Sequence, residues 1–335
     1  MGVRGLGAPL VRSLGWGASS LSAPAAPVIS LGTQFVVNGT ITWSAVSGAT
    51  SYRLQRNGVD AGAVTSPYTI VGDGASARDI GPSITVTAVG PGGTSAASNA
   101  LVFSGSSLSN CVVALDADTG ITLVSSAVSV WADQSGKAND HSQGTAGLRP
   151  TMTTLANGKT AVRFNVASTQ CLSCAAMAAL ASTTPGWTVA ACYETVADPT
   201  TVTNGTLWSG PSGWLIRVGA STIGKPQAIF GSSNAATTGT AVGAATLVRE
   251  RAWRDASGGG TRQSSIKVYT QPQVDGTAGA SVALSSTTPP SYLGAANGAG
   301  VQASDIKIRT FLIYERTLGA DEMTTLEAYN TFQGT

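Results

Sequence analysis

Short segments in which apolar and polar side chains alternate recur along most of this chain. In residues 51–56 (SYRLQR), Tyr52 and Leu54 lie on one side of an extended chain and their polar neighbours on the other, because successive side chains of a strand point to opposite faces. Residues 160–164 (TAVRF) alternate in the same way. This period predicts antiparallel strands with one buried face.

Turn residues divide the predicted strands into two groups. Pairs such as Asn57-Gly58 and Asn157-Gly158 mark hairpin-type turns, since Asn and Gly accept the left-handed backbone that such turns need. In the first group we predict strands at residues 35–37, 40–43, 51–56, 68–71 and 83–89. In the second group we predict strands at residues 128–131, 160–164, 187–193, 214–218, 227–230, 246–253, 264–270, 292–294 and 305–314. These short, regularly spaced strands predict an all-β fold.

The end of the chain has a helical period instead. Met323, Leu326 and Tyr329 recur at a spacing of three, which places them on one face of a helix. Glu322 in the first turn complements the helix dipole, and Gly319 occupies the N-cap position. We expect this C-terminal helix to cover an edge or an end of a sheet.

Composition limits the classes of partner. Hydrophobic residues are 42 % of the 335 residues and charged residues only 11 %, so a core can form under a weakly charged surface. The net charge of +2 provides no electrostatic footprint for nucleic acid or an anionic membrane. No apolar run reaches the ~18–20 residues of a membrane span. We expect neither nucleic acid nor a membrane as a partner.

Cysteine and histidine are too few for a zinc site. The chain has Cys111, Cys171, Cys174 and Cys192 and a single histidine, His141, whereas a structural zinc site needs four good ligands. We interpret the thiols as small buried apolar groups. A disulfide between two of them is the alternative that stays open. We expect His141 on a solvated loop.

Linker-like segments divide the chain into four parts. Pro24 and Pro27 precede the first strands, and the sequence SGSSL forms a short Gly/Ser linker. We therefore predict an extended N-terminal arm at 1–23, a small sandwich at 24–103, a linker at 104–108 and a larger sandwich at 109–335.

The N-terminal arm is Gly-rich yet carries apolar and basic side chains that suit a partner surface. These candidate contact residues are Arg4, Leu6, Leu10, Arg12, Leu14 and Trp16. Gly, Pro and Arg interrupt the continuous apolar region that a signal peptide needs. We expect an arm that becomes ordered on a partner, while a disordered tail and a signal peptide stay open.

Residues 24–103 resemble a fibronectin type III domain. The matching stretches are TITWSAVSGATSYRLQRNG and ITVTAVGPGGTSAASNA, and Trp43 takes the core tryptophan position of the family. Ile84 stands where the family usually has a tyrosine, so we expect no tyrosine-corner hydrogen bond. The resemblance implies a small antiparallel sandwich that acts as a spacer.

Residues 109–335 resemble a concanavalin A-like (laminin G-like) jelly roll. The residues that carry the resemblance are Leu115, Asp116, Trp131, Asp133, Ser135, Gly136, Asn139, Asp140, Pro150, Asn157, Gly158, Val162, Arg163, Phe164, Ile306, Tyr314, Leu318 and Glu322. The resemblance implies a larger antiparallel jelly-roll sandwich of a type common in bacteriophage structural proteins and secreted glycan-binding modules. Such a fold hosts many unrelated activities.

Four carboxylates near the start of this jelly roll are candidate calcium ligands. They are Asp116, Asp118, Asp133 and Asp140. Related lectin-like modules bind Ca²⁺ in this region, and hard oxygen ligands suit that ion. The alternative for Asp133 is an Asx turn that needs no metal.

Four aromatic residues of the jelly roll are candidate glycan contacts. They are Trp208, Trp214, Trp253 and Tyr292. Exposed rings next to polar groups are typical of sugar-binding sites, and core packing is the alternative for each ring.

No catalytic arrangement stands out. None of the five glutamates belongs to an alternating E-x-D-x-E strand, the pattern that would bring two carboxylates to one glycosidic bond. Neither a G-x-S-x-G elbow nor a phosphate-binding glycine loop occurs. We therefore expect a protein that is not an enzyme.

These features together predict a bacteriophage virion surface protein, either a capsid decoration or a tail component. In this hypothesis the arm docks on other virion proteins, and the protein forms a homo-oligomer on the particle. The jelly roll contacts its neighbours or a host-surface glycan. Two alternatives stay open: a secreted bacterial carbohydrate-binding protein and a polysaccharide depolymerase.

Overall fold

A computed structural model describes most of the chain. The described residues are 21–32, 35–71, 79–80, 82–179, 186–196, 205–210, 214–218, 224–230, 235–238, 240–254, 261–262, 264–269, 271–275, 279–280, 290–300 and 302–334. The predicted arm contacts lie outside these residues: Arg4, Leu6, Leu10, Arg12, Leu14 and Trp16. Within the described residues, the predicted all-β fold with a C-terminal helix is confirmed.

Two small antiparallel sheets form a first sandwich. Their strands are β1 (Ile29–Leu31), β2 (Thr40–Trp43), β3 (Ser51–Arg56), β4 (Val59–Val64), β5 (Tyr68–Thr69), β6 (Ile84–Gly90) and β7 (Gly93–Thr94). One sheet has the order β1-β2-β5 and the other β4-β3-β6-β7. Ile41 and Trp43 of the first sheet and Leu54 and Val86 of the second belong to one buried cluster.

The remaining strands form a second, larger sandwich, except for two that make a separate two-stranded sheet. They are β8 (Cys111–Asp116), β9 (Ile121–Val124), β10 (Ala127–Trp131), β11 (His141–Ser142), β12 (Thr151–Thr154), β13 (Thr160–Phe164), β14 (Leu172–Cys174), β15 (Trp187–Thr195), β16 (Thr206–Ser209), β17 (Leu215–Arg217), β18 (Gln227–Ile229), β19 (Ala235–Thr237), β20 (Leu247–Arg254), β21 (Thr261–Arg262), β22 (Ser264–Val268), β23 (Val274–Asp275), β24 (Gly279–Ala280), β25 (Ser291–Leu293) and β26 (Ile306–Tyr314). Single turns of 3₁₀ helix occur at Gly105–Ser107, Ala146–Leu148, Val166–Ser168 and Ala176–Ala179.

The larger sandwich consists of two antiparallel layers. In one layer β23, β22, β20, β15 and β26 are successive neighbours, and β8 and β13 pair with different parts of β26. In the other layer β9, β10, β11, β14, β25, β16, β17, β18 and β19 follow one another. Strand β12 joins the layers, because it pairs with both β13 and β10. Within the described part of the chain, β21 and β24 pair with each other and with no further strand.

The strand β15 shows how this sandwich is packed. Trp187, Val189 and Tyr193 point into the core between the layers, while Ala190 points to the opposite face and packs in a second cluster. All nine residues of β15 are buried. A strand buried on both faces needs cover on its outer side as well, and the C-terminal helix provides it.

That helix is α1 (Ala320–Gly334). It packs on β15, β20 and β26, so it covers a sheet face and not the edge or end that we predicted. Gly319 takes the predicted N-cap position: its carbonyl accepts from Met323 N–H at 2.8 Å, and its own N–H donates to Glu322 Oε2 at 2.9 Å. Among the described residues, no helix is long and apolar enough to cross a membrane.

The first sandwich packs on the same helix. Val37 N–H donates to Thr325 Oγ1 at 2.8 Å, and the rings of Phe103 and Tyr329 meet edge to face with centroids 5.1 Å apart. One buried cluster therefore contains residues of the first sandwich, α1 and the outer face of the large sandwich. The domain boundaries that we drew at 103 and 109 stay a prediction.

The strand predictions succeeded where alternation was clear. The predicted strands at 40–43 and 51–56 have the observed bounds. The predicted strand at 35–37 is wrong, because these residues form bends and a turn. Phe35 and Val37 are buried all the same, since they belong to the cluster shared with α1.

Candidate functional site

A buried arginine organises the region between the two sandwiches. The register of β26 against β15 shifts beside Arg309: Thr310 lies opposite Cys192, but Ile308 lies opposite Tyr193. Arg309 is therefore the extra residue of a β-bulge, which redirects a side chain within a sheet. It is only 4 % exposed.

The guanidinium of Arg309 joins three parts of the fold. It contacts Asp116 Oδ1 at 2.9 Å, donates to Gln333 Oε1 at 3.0 Å, and also donates to Asp118. Its Nη1 donates to the carbonyl of Thr160 at 3.4 Å. The end of β8, the start of β13 and the last turn of α1 are thus tied to one cation, as a buried charge requires.

A pocket of about 700 Å³ opens beside this cluster. The end of the first sandwich and the linker contribute Phe103 and Gly105 to its lining, and α1 contributes Tyr329 and Phe332. Asp116, Asp118, Lys159 and Arg309 supply the charge of its lining. We call it the seam pocket. Its volume lies in the range of small-molecule sites.

The charged groups of the seam pocket are held in place. Lys159 donates to the carbonyl of Phe332, and its ammonium lies 4.5 Å from the centre of the Phe332 ring. Partial burial opposes the charge on Asp118, but hydrogen bonds from Arg309 and Thr160 lower the pKa of its carboxyl below the ordinary value. Asp118 remains ionised, and its side chain is 54 % exposed.

The four predicted calcium ligands do not form a metal site. Asp116 and Asp118 bind Arg309. Asp133 Oδ1 accepts from the backbone N–H groups of Ala114 and Ser135, at 2.8 and 2.9 Å, so the Asx-turn alternative is the correct one. Asp140 Oδ1 accepts from Asp133 N–H at 2.8 Å. No group of three or more acidic, His or Cys side chains in the described part of the chain could hold a metal.

The four predicted glycan aromatics are not brought together. Trp208 and Trp214 are 0 % and 1 % exposed, so their prediction as glycan contacts is wrong. Trp208 donates to Ser291 Oγ at 2.7 Å inside the core, and Trp214 packs edge to face with Trp187. Trp253 is half-buried on β20, and Tyr292 is half-buried on β25 in the opposite layer.

The single histidine also lies elsewhere than predicted. His141 is fully buried on β11, not on a solvated loop. Burial lowers the pKa of His141 to about 4, so the ring is neutral at neutral pH. Its Nδ1 lies 3.1 Å from the carbonyl oxygen of Asn139. All four cysteines are buried and free, in agreement with their interpretation as small apolar groups.

A buried acid that we did not single out lies inside the large sandwich. Glu250 is 2 % exposed, and Tyr193 donates to its Oε2 at 3.0 Å. Burial raises the pKa of Glu250 to about 8, although the hydrogen bond from Tyr193 lowers it. The acid is therefore mostly protonated at neutral pH and shares the core with apolar side chains.

Comparisons with known proteins identify no family. No protein-family model matches the sequence, and no curated protein matches it. Similar solved structures include Trypanosoma rangeli sialidase in complex with 2,3-difluoro-KDN, at 16 % identity and a TM-score of 0.41, covering 73 % of this chain and 35 % of the sialidase. A botulinum neurotoxin type C structure matches at 10 % identity and a TM-score of 0.33, covering 67 % of this chain and 51 % of the toxin chain.

These neighbours change one expectation. The sialidases are enzymes, which contradicts our prediction that the chain is not an enzyme, and we withdraw it. The type C toxin is described as depending on two ganglioside molecules to enter cells, so the neighbours include proteins that bind carbohydrate. This chain spans about a third of the sialidase and about half of the toxin chain. TM-scores below 0.5 assign neither activity nor ligand to it.

Removing the positive charge of Arg309 should destabilise the fold. We expect Arg309→Met to lower the free energy of unfolding by about 3 kcal/mol, because breaking a buried ion pair leaves its partners uncompensated. Arg53→Met is the matched control, since Arg53 pairs with Asp60 on the surface and such pairs contribute little. Urea unfolding of both variants measures the difference. Equal losses would contradict a special role for Arg309.

Glu250 should make stability depend on pH. Its pKa is about 8 in the folded protein against an ordinary value of 4.5, so between these values the folded state holds a proton that the unfolded chain has released. Glu250 should therefore lower the free energy of unfolding, by up to a few kcal/mol, as pH rises from about 4.5 to about 8. Buried His141 has the opposite effect below about pH 6.5, so the test uses the range above it: urea unfolding at pH 6.5 and 8 should show the fall in the wild type and a smaller one in Glu250→Gln. Identical slopes would be evidence against it.

Proposed function

We propose that this protein binds a glycan in the seam pocket. The observation that carries the proposal is the pair of carboxylates, Asp116 and Asp118, that Arg309 orients at the side of a pocket walled by aromatic rings. Carboxylates accept hydrogen bonds from sugar hydroxyls, and rings pack against the apolar face of a sugar. Groups that are already held lose little conformational freedom on binding.

The arrangement also indicates which part of a sugar meets which wall. Asp118 is the most exposed of the charged groups bound to Arg309, so it is the acceptor that a hydroxyl reaches first. Lys159 lies on the same side and can donate to a ring or carbonyl oxygen of the ligand. Tyr329 and Phe332 on α1 provide apolar lining.

Removing the charge of Asp118 tests this site. We expect Asp118→Asn to weaken glycan binding at least tenfold, because a charged acceptor is replaced by a neutral amide beside Arg309. Asp60→Asn is the matched control: Asp60 also pairs with an arginine but lies in the first sandwich. The probe is a printed panel of neutral and acidic polysaccharides, followed by calorimetry on the best ligand. The proposal fails if no polysaccharide binds, or if both variants bind as the wild type does.

We also propose that the protein acts on the surface of a bacteriophage particle. The resemblance of both sandwiches to modules frequent in phage structural proteins supports this role, together with the arm sequence at residues 1–23. In this proposal the arm attaches the protein to other virion proteins, and the copies on one particle present several glycan sites at once. Multiple sites raise the effective affinity for a surface.

Deleting residues 2–22 tests the attachment. We expect the truncated protein to keep the unfolding midpoint of the full chain and to be lost from purified particles, as measured by mass spectrometry of gradient-purified virions. Full incorporation of the truncated protein would refute the role of the arm. Absence of the full-length protein from particles would refute the virion proposal while leaving the glycan site standing.

A further inference from the structure

The first sandwich has an open groove of its own, whose lining contains no charged side chain. It has a volume of about 660 Å³. Trp43 at the end of β2, Tyr52 on β3 and Val64 at the end of β4 form its apolar lining. The strands β4 and β5 are the edge strands of the two small sheets, and the residues that connect them, Thr65 and Ser66, also line the groove.

The aromatic walls of this groove are rigid. The rings of Trp43 and Tyr52 meet edge to face with centroids 5.5 Å apart. The Tyr52 hydroxyl accepts from Val46 N–H at 2.7 Å, and Ser66 Oγ accepts from Trp43 N–H at 3.0 Å. The rings and the connecting segment are therefore held in position before any ligand arrives, which lowers the entropic cost of binding.

One donor of the groove lining lacks a partner. The indole Nε1 of Trp43 is buried, and no atom in the described part of the chain accepts its hydrogen bond. Trp43 itself is only 7 % exposed. A buried tryptophan N–H usually has an acceptor, because leaving it unpaired is costly. Because this N–H is buried, it reports on a ligand packed against the Trp43 ring and is not itself counted as a ligand contact.

The polar groups of the lining determine the class of ligand. They belong to Thr50, Ser51, Thr65 and Ser66 beside the two aromatic residues, and no side chain of the lining is charged. Hydroxyl groups beside aromatic rings match a ligand that carries hydroxyls on an apolar frame, and the lack of charge disfavours an acidic or basic one. We infer that this groove binds a neutral saccharide, with a sugar ring packed against Trp43 and Tyr52.

This site would give the first sandwich a binding role besides that of a spacer. It is independent of the glycan site proposed in the seam pocket, because it shares no lining residue with it. The two sites also differ in charge: Asp118 and Lys159 line the seam pocket, whereas the groove is uncharged. They would therefore select different sugars.

The test uses the full-length protein and the assigned indole resonance of Trp43 in a ¹⁵N spectrum. The probes are glucose, galactose, mannose, N-acetylglucosamine and cellobiose, each titrated to tens of millimolar. We expect one of them to shift the Trp43 resonance in a saturable way. Ala63→Glu should weaken that binding at least tenfold, because Ala63 is an exposed groove residue of β4 and the longer charged side chain fills the groove.

Two controls make the outcome decisive. Ala61→Glu places the same side chain on the same exposed strand outside the groove lining and should bind as the wild type does. Asp118→Asn removes the acceptor of the seam pocket and should leave the Trp43 shift unchanged. The inference is overturned if no probe shifts the resonance, if both alanine variants behave alike, or if Asp118→Asn abolishes the shift.

Discussion

A positive charge buried at a β-bulge is the constraint on which the arrangement of the two sandwiches depends. Arg309 cannot remain inside the protein without acceptors, and it takes them from the end of β8, the loop that follows and the last turn of α1. These contacts hold the C-terminal end of the helix against the sheet. A helix attached only by apolar side chains could slide along that surface, whereas directional hydrogen bonds to a planar guanidinium define one position.

The position of α1 in turn determines where the first sandwich sits. The helix covers the outer face of β15, β20 and β26 with one side and receives Val37 and Phe103 on another. The same buried cluster therefore stabilises the sheet, the helix and the first sandwich. The seam pocket is a consequence of this packing, because the linker must pass over the cluster around Arg309 to reach β8.

The large sandwich also contains polar groups that contribute no accessible chemistry. Glu250 and Tyr193 form a hydrogen-bonded pair in its core, and His141 is buried as a neutral ring. Burial shifts the pKa values of His141 and Glu250 in the direction that removes the charge of each group. Acid therefore destabilises the folded state through His141, which takes up a proton more readily when unfolded. Alkali destabilises it through Glu250, which releases its proton more readily when unfolded. The charged groups that can reach a ligand lie instead at the seam.

Local sequence patterns were sufficient for the class of fold and for several elements. Alternation in SYRLQR and TITW predicted β3 and β2, and the spacing of Met323, Leu326 and Tyr329 predicted α1, because these periods depend only on backbone geometry.

Tertiary structure decided which faces of these elements are covered. Trp208 and Trp214 lie in the core, and Phe35 and Val37 are buried although they belong to no strand. Asp116 and Asp118, two of the four candidate calcium ligands, bind Arg309 instead, almost 200 positions away along the chain. Partners so distant in sequence meet only when sheets and helix pack, and no local period encodes that meeting.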